Sequence, residues 1–291
     1  MGPQLEDDMR FMTFRAHGQR GLAISTDEGW VGLLESDLGW PGDLDDIVRS
    51  GDYSATARAL AGGSPVDPAQ VTPDLPLRRS SKVLCVGLNY MDHAMESNME
   101  VPSFPTVFVR FNGNLVPHGG DLVRPRVSEM FDYEGELVAV IGKAGRAIAP
   151  EDALDHVAGY TVFNDGSIRD YQLRTNQWTV GKNFDNTGAM GPVFVTADAL
   201  PAGASGLRIQ TRLNGEVLQD SRTDRLIFSV ADLVSKLSIA MTLEPGDLIV
   251  TGTPAGVGFA REPKVMMKPG DICEVEIEGI GLLRNTVVAE A

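Results

Sequence analysis

Phe131-Asp132-Tyr133-Glu134-Gly135-Glu136-Leu137-Val138-Ala139-Val140-Ile141-Gly142 is the stretch on which the fold turns. Side chains alternate faces along a strand, so Asp132, Glu134 and Glu136 share one face with Val138 and Val140. Tyr133, Leu137, Ala139 and Ile141 line the other, and a strand apolar on two faces is covered on both. Carboxylates carried into such a strand cannot be buried unpaired. Either a solvent-filled cleft opens over Asp132 to Glu136, or a cation stands there. Glutamates two residues apart offer the hard oxygen ligands that Mg²⁺, Mn²⁺ or Ca²⁺ takes. A solvated acidic strand end accounts for the pattern as well, so other stretches must decide.

Upstream, residues 82–88 form an apolar strand running into Asn89-Tyr90-Met91-Asp92-His93-Ala94-Met95-Glu96-Ser97-Asn98. If that segment is helical, His93 and Glu96 stand at i and i+3, where the carboxylate orients the imidazole and raises its basicity, as a general base requires. The same spacing is common in surface ion pairs and decides nothing alone. Pro102 and Pro105 fence the segment off from a strand at 106–111, which makes it a candidate lid. Downstream, Tyr160-Thr161-Val162-Phe163 ends in the turn chemistry of Asn164-Asp165-Gly166 and puts Asp165 at a strand mouth. Arg169 and Gln172 follow one helical turn apart, available to the same site if this segment coils.

Gly181-Lys182-Asn183-Phe184-Asp185 lacks the glycine spacing and hydroxyl residue of a phosphate loop. With Trp178, Val180 and Phe184 around it, Lys182 either points inward as a positive group or snorkels to the surface. Asn214-Gly215 between two strand-like runs signals a hairpin. Ser229 to Asp232 has capping-box spacing ahead of a helix carrying Val230, Leu233, Val234, Leu237 and Met241 on one side. Thr251-Gly252-Thr253-Pro254-Ala255-Gly256-Val257-Gly258 is a loop whose glycines let backbone and hydroxyls approach a ligand.

The 291 residues suffice to bury roughly three quarters of the unfolded surface, enough for one large domain and a small accessory one. We expect a polar, disordered tail at 1–8, a small N-terminal α+β domain at 9–64, a proline-punctuated linker at 65–80 and the main domain at 81–291. Forty acidic against 25 basic residues give a net charge of −15, which repels phosphate backbones and anionic lipid surfaces. Nucleic acid and membrane are therefore not expected as partners. Cys85 and Cys273 each lie in an apolar run and are expected as buried reduced thiols. With no apolar run of about 18 residues and no signal-peptide pattern, a cytoplasmic protein is expected.

Taken together, Asn89-Tyr90-x-x-His93-Ala94-x-Glu96, Asp132-Tyr133-Glu134-Gly135-Glu136-Leu137, Asn164-Asp165-x-Ser167-x-Arg169-Asp170, Gly181-Lys182-x-Phe184-Asp185 and Thr251-Gly252-Thr253-Pro254-x-Gly256-Val257-Gly258 resemble the fumarylacetoacetate hydrolase family. The resemblance implies an α+β, β-rich fold, a mixed β-sandwich roll, usually as a homodimer. It also implies a divalent metal, Mg²⁺ or Mn²⁺ with Ca²⁺ as a further candidate, held by Glu134, Glu136 and Asp165, and a lid bearing His93 and Glu96. The implied substrate is an acylpyruvate or related β-diketo acid. His93, oriented by Glu96, would activate a water; Lys182 would stabilise the oxyanion; Arg110, Arg169, Gln172, Thr251 and Thr253 would grip substrate oxygens. Arg110 stands where the family often has Lys, Asn183 where it often has Ser, and Gly166 and Ile168 where Val and Ala are frequent. Carbon–carbon hydrolysis is the first expectation, a 2-oxo acid decarboxylase (oxaloacetate) or tautomerase/isomerase on the same scaffold is the alternative, and a noncatalytic metal-binding protein is the third reading.

Overall fold

The computed structural model describes residues 9–92 and 102–291. The 1–8 tail, His93 and Glu96 lie outside the described residues. Gly135–Ile141 is the central strand, with every residue buried. Leu137, Ala139 and Ile141 enter one hydrophobic core and Val138 and Val140 the other, so the alternation read from sequence places one strand between two cores. Each fully buried Leu, Ile or Val side chain here contributes about 1.5–3 kcal/mol.

The strand pairs antiparallel on one side with Val157–Asn164 and on the other with Leu248–Val250. From there a mixed sheet extends both ways. Beyond Leu248–Val250 come Val83–Gly87, in parallel, and then Thr106–Arg110 at the edge. On the other flank, Gly188–Thr196 is followed by Arg10–Ala16, Gln19–Thr26, Gly29–Leu34 and Ser64–Val66. The strands of the 9–64 segment thus hydrogen-bond into the same sheet as the central strand. Their helices, Leu44–Ser50 and Tyr53–Ala61, share a core with Val138 and Val140 through Leu44, Ile47 and Leu60.

A second sheet of five strands runs in the order Glu216–Arg222, Arg208–Leu213, Ile272–Ile277, Gly281–Ala289, Asp121–Arg124. Its hairpin turns at Asn214 and Gly215, with φ of 53° and 84°, the left-handed pair this tight turn requires. Cys273, Val275 and Ile277 alternate inward and join the core that holds Leu137 and Ile209. The fold is therefore α+β and strand-rich, with two sheets packed face to face. Val230–Ala240 packs on this core, and the reciprocal Ser229–Asp232 capping box holds its first turn. Cys85 and Cys273 are buried free thiols. No helix among the described residues is long and apolar enough to cross a membrane.

One expectation needs correction. Residues 131–142 are not one unbroken strand. Phe131–Asp132 leaves the large sheet and pairs with Ser167–Ile168, and the central strand begins only at Gly135. The Asp132 carboxylate bends back to accept from the Tyr133 amide at 2.9 Å, while the Glu134 amide donates to Asn164 Oδ1 at 3.1 Å instead of to a ladder partner. Side-chain acceptors have replaced the ladder across residues 133 and 134.

Candidate metal centre and cavity

Glu136 lies on the central strand, opposite Phe163 of Val157–Asn164. Asp165 follows directly on the neighbouring strand, and its amide donates to the Glu134 carbonyl at 2.8 Å. Two adjacent antiparallel strands ending at one level therefore bring Glu134, Glu136 and Asp165 together. Each offers a carboxylate oxygen within 4.8 Å of the other two, and all three are buried. Three like charges so close and so dry require a cation. Hard oxygen donors at this spacing suit a divalent ion.

Lys182 supplies one positive charge. Its Nζ donates to Glu134 Oε2 at 2.6 Å and to Asp165 Oδ2 at 2.7 Å, and lies 4.9 Å from the Phe108 ring centroid. It points inward, fully buried. Burial by itself would lower the pKa of this ammonium, but Asp165 and Glu134 outweigh that and hold it above its ordinary value. Glu136 is displaced the other way. Burial, then the charges of Asp165 and Glu134, push its carboxyl well above the usual carboxylate range, although the Gly252 amide donates to Oε2 at 2.5 Å. Gly252 reaches that oxygen with φ of 103°, and a Cβ there would stand 2.8 Å from Asn89 Cβ.

Arg169 and Gln172 meet at the same cavity, Nη1 donating to Oε1 at 2.9 Å. The guanidinium also lies 2.6 Å from Glu134 Oε1 and 2.7 Å from Asp132 Oδ2. Burial opposes its charge, and Glu134 and Asp132 more than restore it, so its pKa is raised. Asp132 itself is turned away from the acidic triad. It accepts from Arg169 Nε at 2.8 Å, the Gly258 amide at 2.8 Å and the Phe259 amide at 3.0 Å. Of the two alternatives for the row Asp132 to Glu136, a cleft or a cation, neither applies at Asp132, since the cavity reaches only Glu134 and Glu136: this carboxylate ties Arg169 to the 251–258 loop, and charge-assisted bonds of this kind are worth about 1.5–3 kcal/mol each.

Glu134 and Glu136, but not Asp165 or Asp132, border a cavity of about 380 Å³. Glu134, Glu136, Arg169, Gln172, Lys182 and Thr253 line it. Thr253 is held there by Gln219, which donates to its Oγ1 at 2.8 Å and accepts from the Gly135 amide at 3.0 Å. Arg110 and Thr251 do not reach the cavity. The Thr251 hydroxyl donates to the Leu137 carbonyl at 3.0 Å. Arg110 lies behind Asp165, donating to Oδ1 at 2.6 Å, to the Gly166 carbonyl at 3.0 Å and to Thr187 Oγ1 at 3.0 Å. Sequence reasoning missed Gln219 and the supporting role of Arg110. Nothing local marks either, because Arg110 reaches Asp165 across 55 residues of chain and Gln219 reaches Thr253 across 34 and Gly135 across 84.

The family profile described as fumarylacetoacetate (FAA) hydrolase C-terminal matches residues 82–288. Human mitochondrial oxaloacetate tautomerase FAHD2A is 41% identical over 290 residues, covering 97% of this chain and 92% of that protein. The fumarylacetoacetate hydrolase structure from Exiguobacterium antarcticum superposes with a TM-score of 0.85 at 32% identity, covering 97% of this chain and all of that one. Fumarylpyruvate hydrolase from Pseudomonas aeruginosa, solved with Mn²⁺ and pyruvate, gives 0.66 at 36% identity over 76% of this chain and 92% of its own. With fold, acidic triad and sequence all in agreement, the chain belongs to the fumarylacetoacetate hydrolase family.

Proposed function

We propose that the chain interconverts the enol and keto forms of a 2-oxo acid, with oxaloacetate as the first substrate to test. A divalent ion, Mg²⁺ or Mn²⁺, is to be held by Glu134, Glu136 and Asp165. The observation that carries this is the convergence of those three buried carboxylates around Lys182, with Glu134, Glu136 and Lys182 lining one cavity. Hydrolysis, first in the sequence reading, gives way to its alternative because the relative matched over 97% of the chain is named an oxaloacetate tautomerase.

Tautomerisation moves one proton. The C3–H bond breaks as the O2–H bond forms, or the reverse, with no water or other reactant consumed. The divalent ion, when bound, supplies Lewis-acid stabilisation for negative charge developing on the substrate. Lys182 is fixed by two carboxylates and stays protonated, so it presents a preorganised donor without needing to reorient. Arg169, steadied by Asp132, and Gln172 face the cavity where a substrate carboxylate would be gripped. His93, paired in sequence with Glu96, is our candidate for carrying the proton to and from C3.

Acylpyruvate hydrolysis is the second reading, favoured by the likeness to fumarylpyruvate hydrolase. It needs the same stabilisation of negative charge and, in addition, an attacking water. To separate the two, the Mg²⁺-loaded protein is given enol oxaloacetate and, in parallel, acetylpyruvate. Accelerated loss of enol absorbance without carbon dioxide or acetate release is expected. Acetate release with an unaccelerated enol would overturn the proposal in favour of hydrolysis, and carbon dioxide release would indicate a decarboxylase.

A further inference from the structure

Gly135 stands between Glu134 and Glu136, and its backbone is held from the second sheet. Leu248–Val250 pairs with the central strand at Val138 to Val140, short of Gly135. Gln219, buried on Glu216–Arg222, takes over there. Its Oε1 accepts from the Gly135 amide at 3.0 Å, and its Nε2 donates to Thr253 Oγ1 and to the Pro254 carbonyl, each at 2.8 Å. Backbone chemistry fixes which way this amide points. A main-chain N–H only donates and a main-chain carbonyl only accepts, so the oxygen must face Gly135 and the nitrogen Pro254. Thr253 Oγ1 receives the second Nε2 hydrogen and gives its own to the Gly135 carbonyl at 3.0 Å. The ring of hydrogen bonds thus opens and closes on one residue and satisfies both of its backbone groups.

Packing reinforces the ring. A Cβ at position 135 would collide with Thr211 Oγ1 and come within 2.9 Å of Val275 Cγ1, both on strands of the second sheet. On the opposite side, Asn164 Oδ1 takes the Glu134 amide and the Asp165 amide takes the Glu134 carbonyl. The main chain joining two carboxylates of the triad is therefore held between the neighbouring strand and the second sheet. Glycine is the residue with the widest conformational freedom, so its direction here depends on those partners. We propose that Gln219 is a positioning residue of the metal centre: by fixing Gly135 it sets how far apart the Glu134 and Glu136 carboxylates stand, and so favours a small divalent ion over a large one. The inference rests on the proposed metal assignment and adds to it a side chain that is not a ligand. Mg²⁺ takes oxygens at about 2.0–2.1 Å in near-ideal octahedral geometry, whereas Ca²⁺ accepts about 2.3–2.6 Å and irregular arrangements. Carboxylates free to spread cost Mg²⁺ more than they cost Ca²⁺.

Calorimetric titration of Mg²⁺ and Ca²⁺ into wild type, Gln219→Leu and Gln219→Glu reads that preference without any turnover. Gln219→Leu should weaken Mg²⁺ by about 10–100-fold, the range for losing an outer partner of a metal site, and Ca²⁺ by less, so the ratio of the two affinities falls. Gln219→Glu keeps the shape and an oxygen for the Gly135 amide, and should retain most of the wild-type ratio. Thr253→Val opens the ring at the Gly135 carbonyl and should shift the ratio in the same direction by a smaller factor; it decides the matter if thermal melts show that the leucine variant does not fold. The Mn²⁺-loaded Gln219→Leu protein should also give a broader electron paramagnetic resonance spectrum, the mark of a less regular ligand set. A purely structural role would lower the melting temperature of the metal-free variants and leave the ratio alone. An unchanged Mg²⁺ to Ca²⁺ ratio in a folded variant would overturn the inference while leaving the metal assignment standing. Failure of the wild type to bind either ion would overturn both.

Discussion

Arg110 Nη1 stands 2.6 Å from Asp165 Oδ1, and neither side chain is exposed to solvent. Asp165 thus has a cation on each side, Arg110 behind and Lys182 in front. The front one shares space with the acidic triad and the cavity, whereas the rear one belongs to the scaffold. A guanidinium at position 110 can hold Asp165, the Gly166 carbonyl and Thr187 Oγ1 at once, a fork that an ammonium does not reproduce.

Arg110→Met should therefore cost about 3–5 kcal/mol of stability, the range for removing one partner of a buried ion pair. Arg110→Lys keeps the charge and gives up part of the fork, so its loss should be about 1–3 kcal/mol. Urea unfolding of the metal-free protein measures both. A loss under about 1 kcal/mol in Arg110→Met would mean that Asp165 does not depend on it.

Lys182→Met removes the one ammonium that touches both Glu134 and Asp165. Turnover of a 2-oxo acid should fall by about 10²–10³, as for loss of a preorganised charge-stabilising donor. Affinity for Mg²⁺ or Mn²⁺ should hold or rise, since a positive charge has left the carboxylates. Steady-state rates and calorimetric metal titration give the two numbers separately. Parallel losses in both would point to collapse of the triad instead.

Under the proposed metal assignment, Glu136 should set the pH dependence of loading. Its carboxyl is raised well above the usual range by burial and by Asp165 and Glu134, so a proton should compete with the proposed ion. Metal affinity should climb with pH above the ordinary carboxylate range of about 4 until Glu136 is ionised. Stability of the metal-free protein should run the opposite way. The folded state keeps a proton that the unfolded state releases, so stability is full below the unfolded pKa and lost as pH rises through the folded one. Titrations of wild type and Glu136→Gln across pH check this; an unchanged pH slope in the variant would remove Glu136 as the titrating ligand.

Gly258→Ala should break the link between Asp132 and the 251–258 loop. A Cβ at 258 would collide with the Val265 carbonyl oxygen and come within 2.7 Å of Asp132 Oδ1, forcing apart the amides that hold that carboxylate. The expected stability loss is about 1–3 kcal/mol. Because Arg169 depends on Asp132, the KM for a 2-oxo acid should rise while metal affinity is retained. Wild-type KM in a folded Gly258→Ala protein would separate Arg169 from this anchor.

Local pattern determined a good deal. Period-two alternation assigns Leu137, Ala139 and Ile141 to one core and Val138 and Val140 to the other. The Asn214-Gly215 turn, the Ser229 capping box and the Arg169–Gln172 pair, one helical turn apart, also follow from a few neighbouring residues. Such features are legible because their physics is short-ranged. Only the tertiary structure decided that Asp132 leaves the row of carboxylates to anchor Arg169, that Arg110 stands behind Asp165, and that Phe108 and Trp178 form the wall beside Lys182. Each of those outcomes depends on which strand end lies next to which loop. A buried charge takes the nearest partner in space, and sequence distance says nothing about where that partner will be.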